Sequence, residues 1–162
     1  MPHAAMIVAA ALLLLPGAAS AQNSNSQGTN GREKAPDGAR AYIMWPSNGT
    51  TVPGGKLWVR MGLQNMGIAP AGIRKEDTGH HHLLVDVDKE PVADMPLPTS
   101  LMPEAGVALP KGPQVLHFGK AQTETSITLT PGKHTLQLIL GDQYHVPFKP
   151  SVESKKITVE VK

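Results

Sequence analysis

Gly79-His80-His81-His82-Leu83-Leu84-Val85-Asp86 runs three consecutive histidines straight into an apolar segment. The pattern predicts a strand over roughly His80 to Val87. On a strand, successive side chains point to opposite faces. His81, Leu83, Val85 and Val87 then share an apolar face, while His80, His82, Leu84 and Asp86 share the other. Single histidines follow at His117, His134 and His145, each near a turn or a strand end. The stretch therefore predicts a small β-domain with a histidine-rich site at one edge.

The segments around it read the same way. Ala41-Tyr42-Ile43-Met44-Trp45 is a first strand closed by Pro46, and Ser47 to Thr50 is a turn. From Lys56 to Leu63 the chain alternates, with Leu57, Val59, Met61 and Leu63 on one face, as a half-buried strand does. Gln64 to Thr78 reads as loop. Gln114 to Phe118 reads as a short strand, Thr123 to Leu129 alternates again, His134 to Leu140 sets His134, Leu136, Leu138 and Leu140 on one face, and Lys156 to Val161 closes the domain. Short strands with Pro/Gly turns and no amphipathic helix predict an all-β, immunoglobulin-like sandwich of six to seven strands over 41–162. Asp88 to Pro113 interrupts it as a proline-rich loop, and loops of that length in compact domains are usually functional or disordered.

Upstream, residues 1–21 have the form of a signal peptide. An apolar core from Ala4 to Leu15, the break at Pro16-Gly17 and the small residues Ala19-Ser20-Ala21 place cleavage between Ala21 and Gln22. That core is too short for a stable membrane anchor, which needs about 20 apolar residues, and no later stretch is apolar enough. The expected location is periplasmic or secreted. Residues 22–40 are polar and predict a disordered tether, because such a segment cannot bury enough surface to offset chain entropy.

Composition excludes several classes of function. Cysteine is absent from the 162 residues, which removes thiolate metal sites, disulfides and a cysteine nucleophile. A net charge of +2, scattered basic residues and few aromatics argue against a nucleic-acid partner. No GxSxG, HExxH, Walker or GxGxxG pattern occurs, so the reading leans away from an enzyme.

What remains is the imidazole chemistry. His80 and His82, two residues apart on a strand, can converge, and neutral imidazole is a good ligand for Zn²⁺ and Cu²⁺. His117 and His145 are the candidates for completing a zinc or copper site. Asp86 is read as a supporting partner on the same face. His134 heads an apolar face after Pro131-Gly132, where immunoglobulin-like folds often put a tyrosine that bonds to nearby backbone, and a structural role is expected for it and for His81. Met61 is expected in the core, Met95 and Met102 lack a copper-binding spacing, and Lys120 is read as a solvated turn residue. The alternative is a metal-free envelope module that binds a protein or glycan through the proline-rich loop and the histidine rim.

At these residues the chain resembles the bacterial domain-of-unknown-function family 4399. The segments that carry the likeness are Gly79 to Asp86, His117 to Glu124, Pro131 to Leu138 and Gly141-Asp142. The resemblance implies an exported bacterial protein and brings no activity, substrate or cofactor. Two departures stand out: Val115 and the run Phe148-Lys149-Pro150 occupy places where the family often carries further histidines. That leaves His80, His82, His117 and His145 as the ligand set.

Overall fold

Alternation in Lys56–Gln64 is realised as read: Leu57, Val59 and Met61 are buried and Lys56, Trp58 and Arg60 are exposed. The computed structural model describes residues 31–87 and 114–162. The segments read as a signal peptide and as the first part of a tether, and the proline-rich segment Asp88–Pro113, lie outside the described residues. The strands in chain order are β1 Arg40–Trp45, β2 Thr50–Val52, β3 Lys56–Gln64, β4 Gly67–Ile68, β5 Thr78–Val85, β6 Val115–His117, β7 Glu124–Thr128, β8 Gly132–Gly141 and β9 Ile157–Val161. The described residues contain no helix, and none of them forms a span long and apolar enough to cross a membrane as one.

These strands form an all-β sandwich. One sheet is three-stranded, β1-β3-β7; the other is six-stranded, β2-β9-β8-β5-β4, with β6 also paired to β5. The core lies between them. Ala41, Leu57, Val59, Met61 and Ile127 from the first sheet meet Leu83, Val85, Leu136, Leu138, Leu140 and Val159 from the second. Burying each of the larger side chains among them contributes about 1.5–3 kcal/mol.

Among the described residues nine strands stand where six to seven were expected, because β2 and β4 are too short to show periodicity. β2 is held by parallel pairing to β9, and β4 by parallel pairing of Gly67 and Ile68 to Thr78 and Gly79. These long-range contacts leave no local signature.

Two further expectations are corrected. Residues 31–40 are not a free tether: Ala35 is buried, its amide donates to the Lys149 carbonyl at 2.9 Å, and the buried Arg32 guanidinium donates to the carbonyls of Pro147 and Phe148 and to Ser151 Oγ. Hydrogen bonds rather than apolar area fix this arm, which is why composition missed it. Strand β5, read with one apolar face and the histidine site at an edge, is buried on both faces. Its second face joins Leu84 to Val115, Ile139 and Val87 in a separate apolar cluster. Val87 changes sides relative to the reading because Asp86 takes a φ of 55°, which breaks the alternation after Val85.

Candidate metal centre

β5 is the scaffold of the site. It has β8 on one side, with His80 opposite Gly141 and His82 opposite Ile139. On its other side, β6 sets His117 directly opposite His82. Parity then gives His80, His82 and His117 one common face of the sheet. The fourth histidine, His145, comes from the turn that leaves β8. The Asp142 side chain shapes that turn: its Oδ1 accepts the amides of Tyr144 at 2.8 Å and Val146 at 2.9 Å. The His145 amide donates to the Asp142 carbonyl at 2.9 Å, and His145 takes a φ of 68°.

The four rings surround one point. Their centroids lie between 4.6 Å (His117–His145) and 5.9 Å (His82–His145) apart. One nitrogen from each of His80, His82, His117 and His145 lies within 4.8 Å of the others. His80 Nε2 and His145 Nδ1 share a hydrogen bond of 2.9 Å. His80 and His82 are fully buried, while His117 and His145 are half-buried, so the cluster opens on the side of the latter pair.

Electrostatics keep the cluster neutral at His82. Burial pushes its imidazole down to about 2, and the neighbouring His80, His117 and His145 push the same way, against a hydrogen bond that the ring donates to the His80 backbone. A neutral imidazole is the form that binds metal. Burial also raises the carboxyl of Asp142 above the usual carboxylate range, offset by the amides of Val146 and Tyr144.

Two glycines make room for the rings. A Cβ on Gly141 would stand 2.8 Å from Cε1 of His82 and 3.2 Å from the His145 backbone. A Cβ on Gly119 would stand 2.6 Å from Nε2 of His117 and closer still to its Cε1. Gly119, Gly141 and Asp142 were not singled out as functional in the sequence. Their signal was there in Gly141-Asp142 and in His117-Phe118-Gly119, but only the fold shows which ring each glycine faces.

The other sequence-predicted residues fall outside the cluster. Asp86 does not serve it: its Oδ2 lies 2.7 Å from His134 Nδ1 and its Oδ1 accepts the Thr135 amide at 2.8 Å. The turn at Asp86 takes the carboxylate away from the strand face that its number implied. His134 is structural as expected, with Nε2 also 2.8 Å from the Thr130 carbonyl. Both of its partners are acceptors, so both ring nitrogens carry protons, and the bond to Asp86 raises its pKa above the ordinary value. His81 is fully buried toward the core, and neither ring nitrogen has a hydrogen-bond partner among the described residues. Burial lowers it to about 4. Met61 packs in the core as read, Met95 and Met102 lie outside the described residues, and Lys120 is exposed.

A family model described as a domain of unknown function, DUF4399, matches residues 59–162. The chain belongs to this family. The matched region contains all four clustered histidines together with Gly119, Gly141 and Asp142. No curated protein matches the chain. Val115 lies on the same face as His117, two residues along β6, and Phe148 is buried in the core. The cluster is made of the rings of His80, His82, His117 and His145.

Proposed function

We propose that this DUF4399 protein is an exported module that binds Zn²⁺ or copper through His80, His82, His117 and His145. The observation that carries the reading is the convergence of four imidazole nitrogens within 4.8 Å. Bonds of about 2.0–2.1 Å in a tetrahedron place ligand nitrogens about 3.3 Å apart. The rings therefore need only small rotations, closing the wider pairs and opening the 2.9 Å His80–His145 pair. An all-nitrogen donor set suits zinc and copper and disfavours calcium and magnesium, which take oxygen ligands. Four protein ligands fill a tetrahedral shell and leave no open position for substrate, so the role is to hold or carry the ion rather than to catalyse.

Equilibrium titration of the mature chain with Zn²⁺ and Cu²⁺ tests this, with His80→Ala/His82→Ala and the half-buried His145→Ala beside it. Tight uptake by the wild type and loss in the variants is expected; equal weak uptake by all three sinks the proposal. Export is tested by sequencing the N-terminus of the protein recovered outside the cytoplasm, which should begin at Gln22.

A second reading keeps the envelope-interaction module but moves it. His80 and His82 are buried, and only the half-buried His117 and His145 reach the rim of the cluster. Instead Tyr42, Met44, Trp45 and Trp58 are exposed on the three-stranded sheet, with the Arg60 guanidinium 5.4 Å from the Trp58 ring. Exposed apolar patches of this kind mark interaction surfaces. Trp58→Ala should abolish capture of a protein or glycan from an envelope extract, and unchanged capture would remove the reading.

A further inference from the structure

The four histidines are not delivered alike. His80, His82 and His117 stand on paired strands, where the ladder fixes them. His145 stands on a turn, in a left-handed conformation that costs a non-glycine residue free energy. Something must hold that turn. The Asp142 side chain is buried, and its Oδ1 accepts two amides, one on each side of His145: Tyr144 and Val146. The Asp142 amide donates to the Val146 carbonyl at 2.8 Å, and the Gly72 amide donates to the Gln143 carbonyl at 2.9 Å. Within this frame the His145 ring meets His80 at 2.9 Å.

We propose that Asp142 is the positioning residue of the site: its carboxylate sets the turn that presents His145, so metal affinity depends on a side chain outside the ligand set. The inference rests on the metal-binding reading and extends it. The geometry gives the carboxylate this role without any contact to the ion. Loss of one acceptor atom frees two amides and lets His145 relax out of the left-handed region, carrying its ring away from the other three. Asparagine keeps an equivalent carbonyl oxygen at that place, so it should keep the turn.

The test is a Cu²⁺ and Zn²⁺ titration of the full mature chain for wild type, Asp142→Ala, Asp142→Asn, His145→Ala and the Asp142→Ala/His145→Ala pair. The copper EPR spectrum of each is recorded. Asp142→Ala should weaken binding about ten- to hundredfold, the range seen when groups supporting a ligand are removed. Its spectrum should match that of His145→Ala, with one nitrogen fewer than wild type. Adding Asp142→Ala to His145→Ala should cost nothing more, and Asp142→Asn should stay near wild type. A wild-type spectrum and affinity in Asp142→Ala would overturn the inference. So would an equal further loss in the His145→Ala background, which marks a general effect on the fold. If the wild type takes up no metal, the functional reading fails separately. The positioning role is then read from the ¹⁵N ring shifts of His80 and His145, whose mutual hydrogen bond Asp142→Ala should break; unchanged shifts would overturn it.

Discussion

Gly119→Ala isolates the histidine cluster from the fold. The added Cβ would stand 2.6 Å from His117 Nε2 and closer still to Cε1. Non-bonded heavy atoms attract at about 3.5–4.0 Å, so the ring must retreat by roughly 1 Å. Metal–ligand distances tolerate only about ±0.2 Å. The displacement exceeds that tolerance several-fold, so under the proposed metal binding His117 would cease to be a ligand. His117 is half-buried, so its ring can swing outward and the fold loses little. We take the loss as about a hundredfold, the upper end of what removing even a supporting group costs, or about 2.8 kcal/mol. At a free ion concentration one hundred times the wild-type Kd, binding stabilises the wild type by about 2.7 kcal/mol and the variant by about 0.4 kcal/mol. At about 4 °C per kcal/mol, the metal-induced rise in Tm should shrink from about 10 °C to about 2 °C. The assay is thermal denaturation of both proteins with and without Zn²⁺. Equal metal-induced rises would refute the placement of His117 in the site; a large drop in the metal-free Tm would refute the claim that the ring can move freely.

Three other outcomes follow from the same geometry. His81 titrates near 4 in the folded chain and near 6.5 when unfolded, so the unfolded chain binds more protons between those values and stability falls as pH drops through that window. His81→Leu should flatten the fall by up to about 1.4 kcal/mol per pH unit, measured by urea unfolding from pH 7 to pH 4.5. His134 has the opposite sign: its raised pKa gives stability that is full below about 6.5 and lost as pH rises through the folded value, so His134→Ala should cost about 1 kcal/mol at pH 6 and less at pH 9, the partial exposure of Asp86 keeping the effect small. Arg32→Ala strips donors from the carbonyls of Pro147 and Phe148 and from Ser151 and should destabilise the fold by about 2–3 kcal/mol, with early hydrogen exchange at the Ala35 and Lys149 amides.

The four clustered histidines were legible because their grouping needs only two kinds of information. Strand parity puts His80 and His82 on one side, and that is a property of the local sequence. The identity of the remaining partners followed from residue type, since cysteine is absent and few histidines remain. The supporting structure was not legible because it depends on register across the sheet. Nothing in Val115-Leu116-His117 says that His117 stands opposite His82 rather than His80 or Leu84. Asp86 shows the same limit in reverse. By number it shares the face of His80 and His82, yet a positive φ at that residue turns its carboxylate to His134 and Thr135.

The phase of β5 is the point on which the whole site depends. A strand buried on both faces lacks the hydrophobic alternation that normally fixes which side chains face the core. Here a one-residue slip would exchange His81 with His80 and His82 and scatter the cluster. Two features oppose that slip. Gly79 lies so close to β8 that a Cβ there would stand 2.5 Å from the Gly141 carbonyl and 3.0 Å from the Leu140 side chain, so no other residue of the tract can take its place. At the far end, the Asp86 carboxylate is tied to the Thr135 amide at 2.8 Å and to His134 at 2.7 Å, which locks the strand end to the start of β8. The structural histidine and its aspartate thus contribute to the site indirectly. They hold the register that sends His80 and His82, and not His81, to meet His117 and His145.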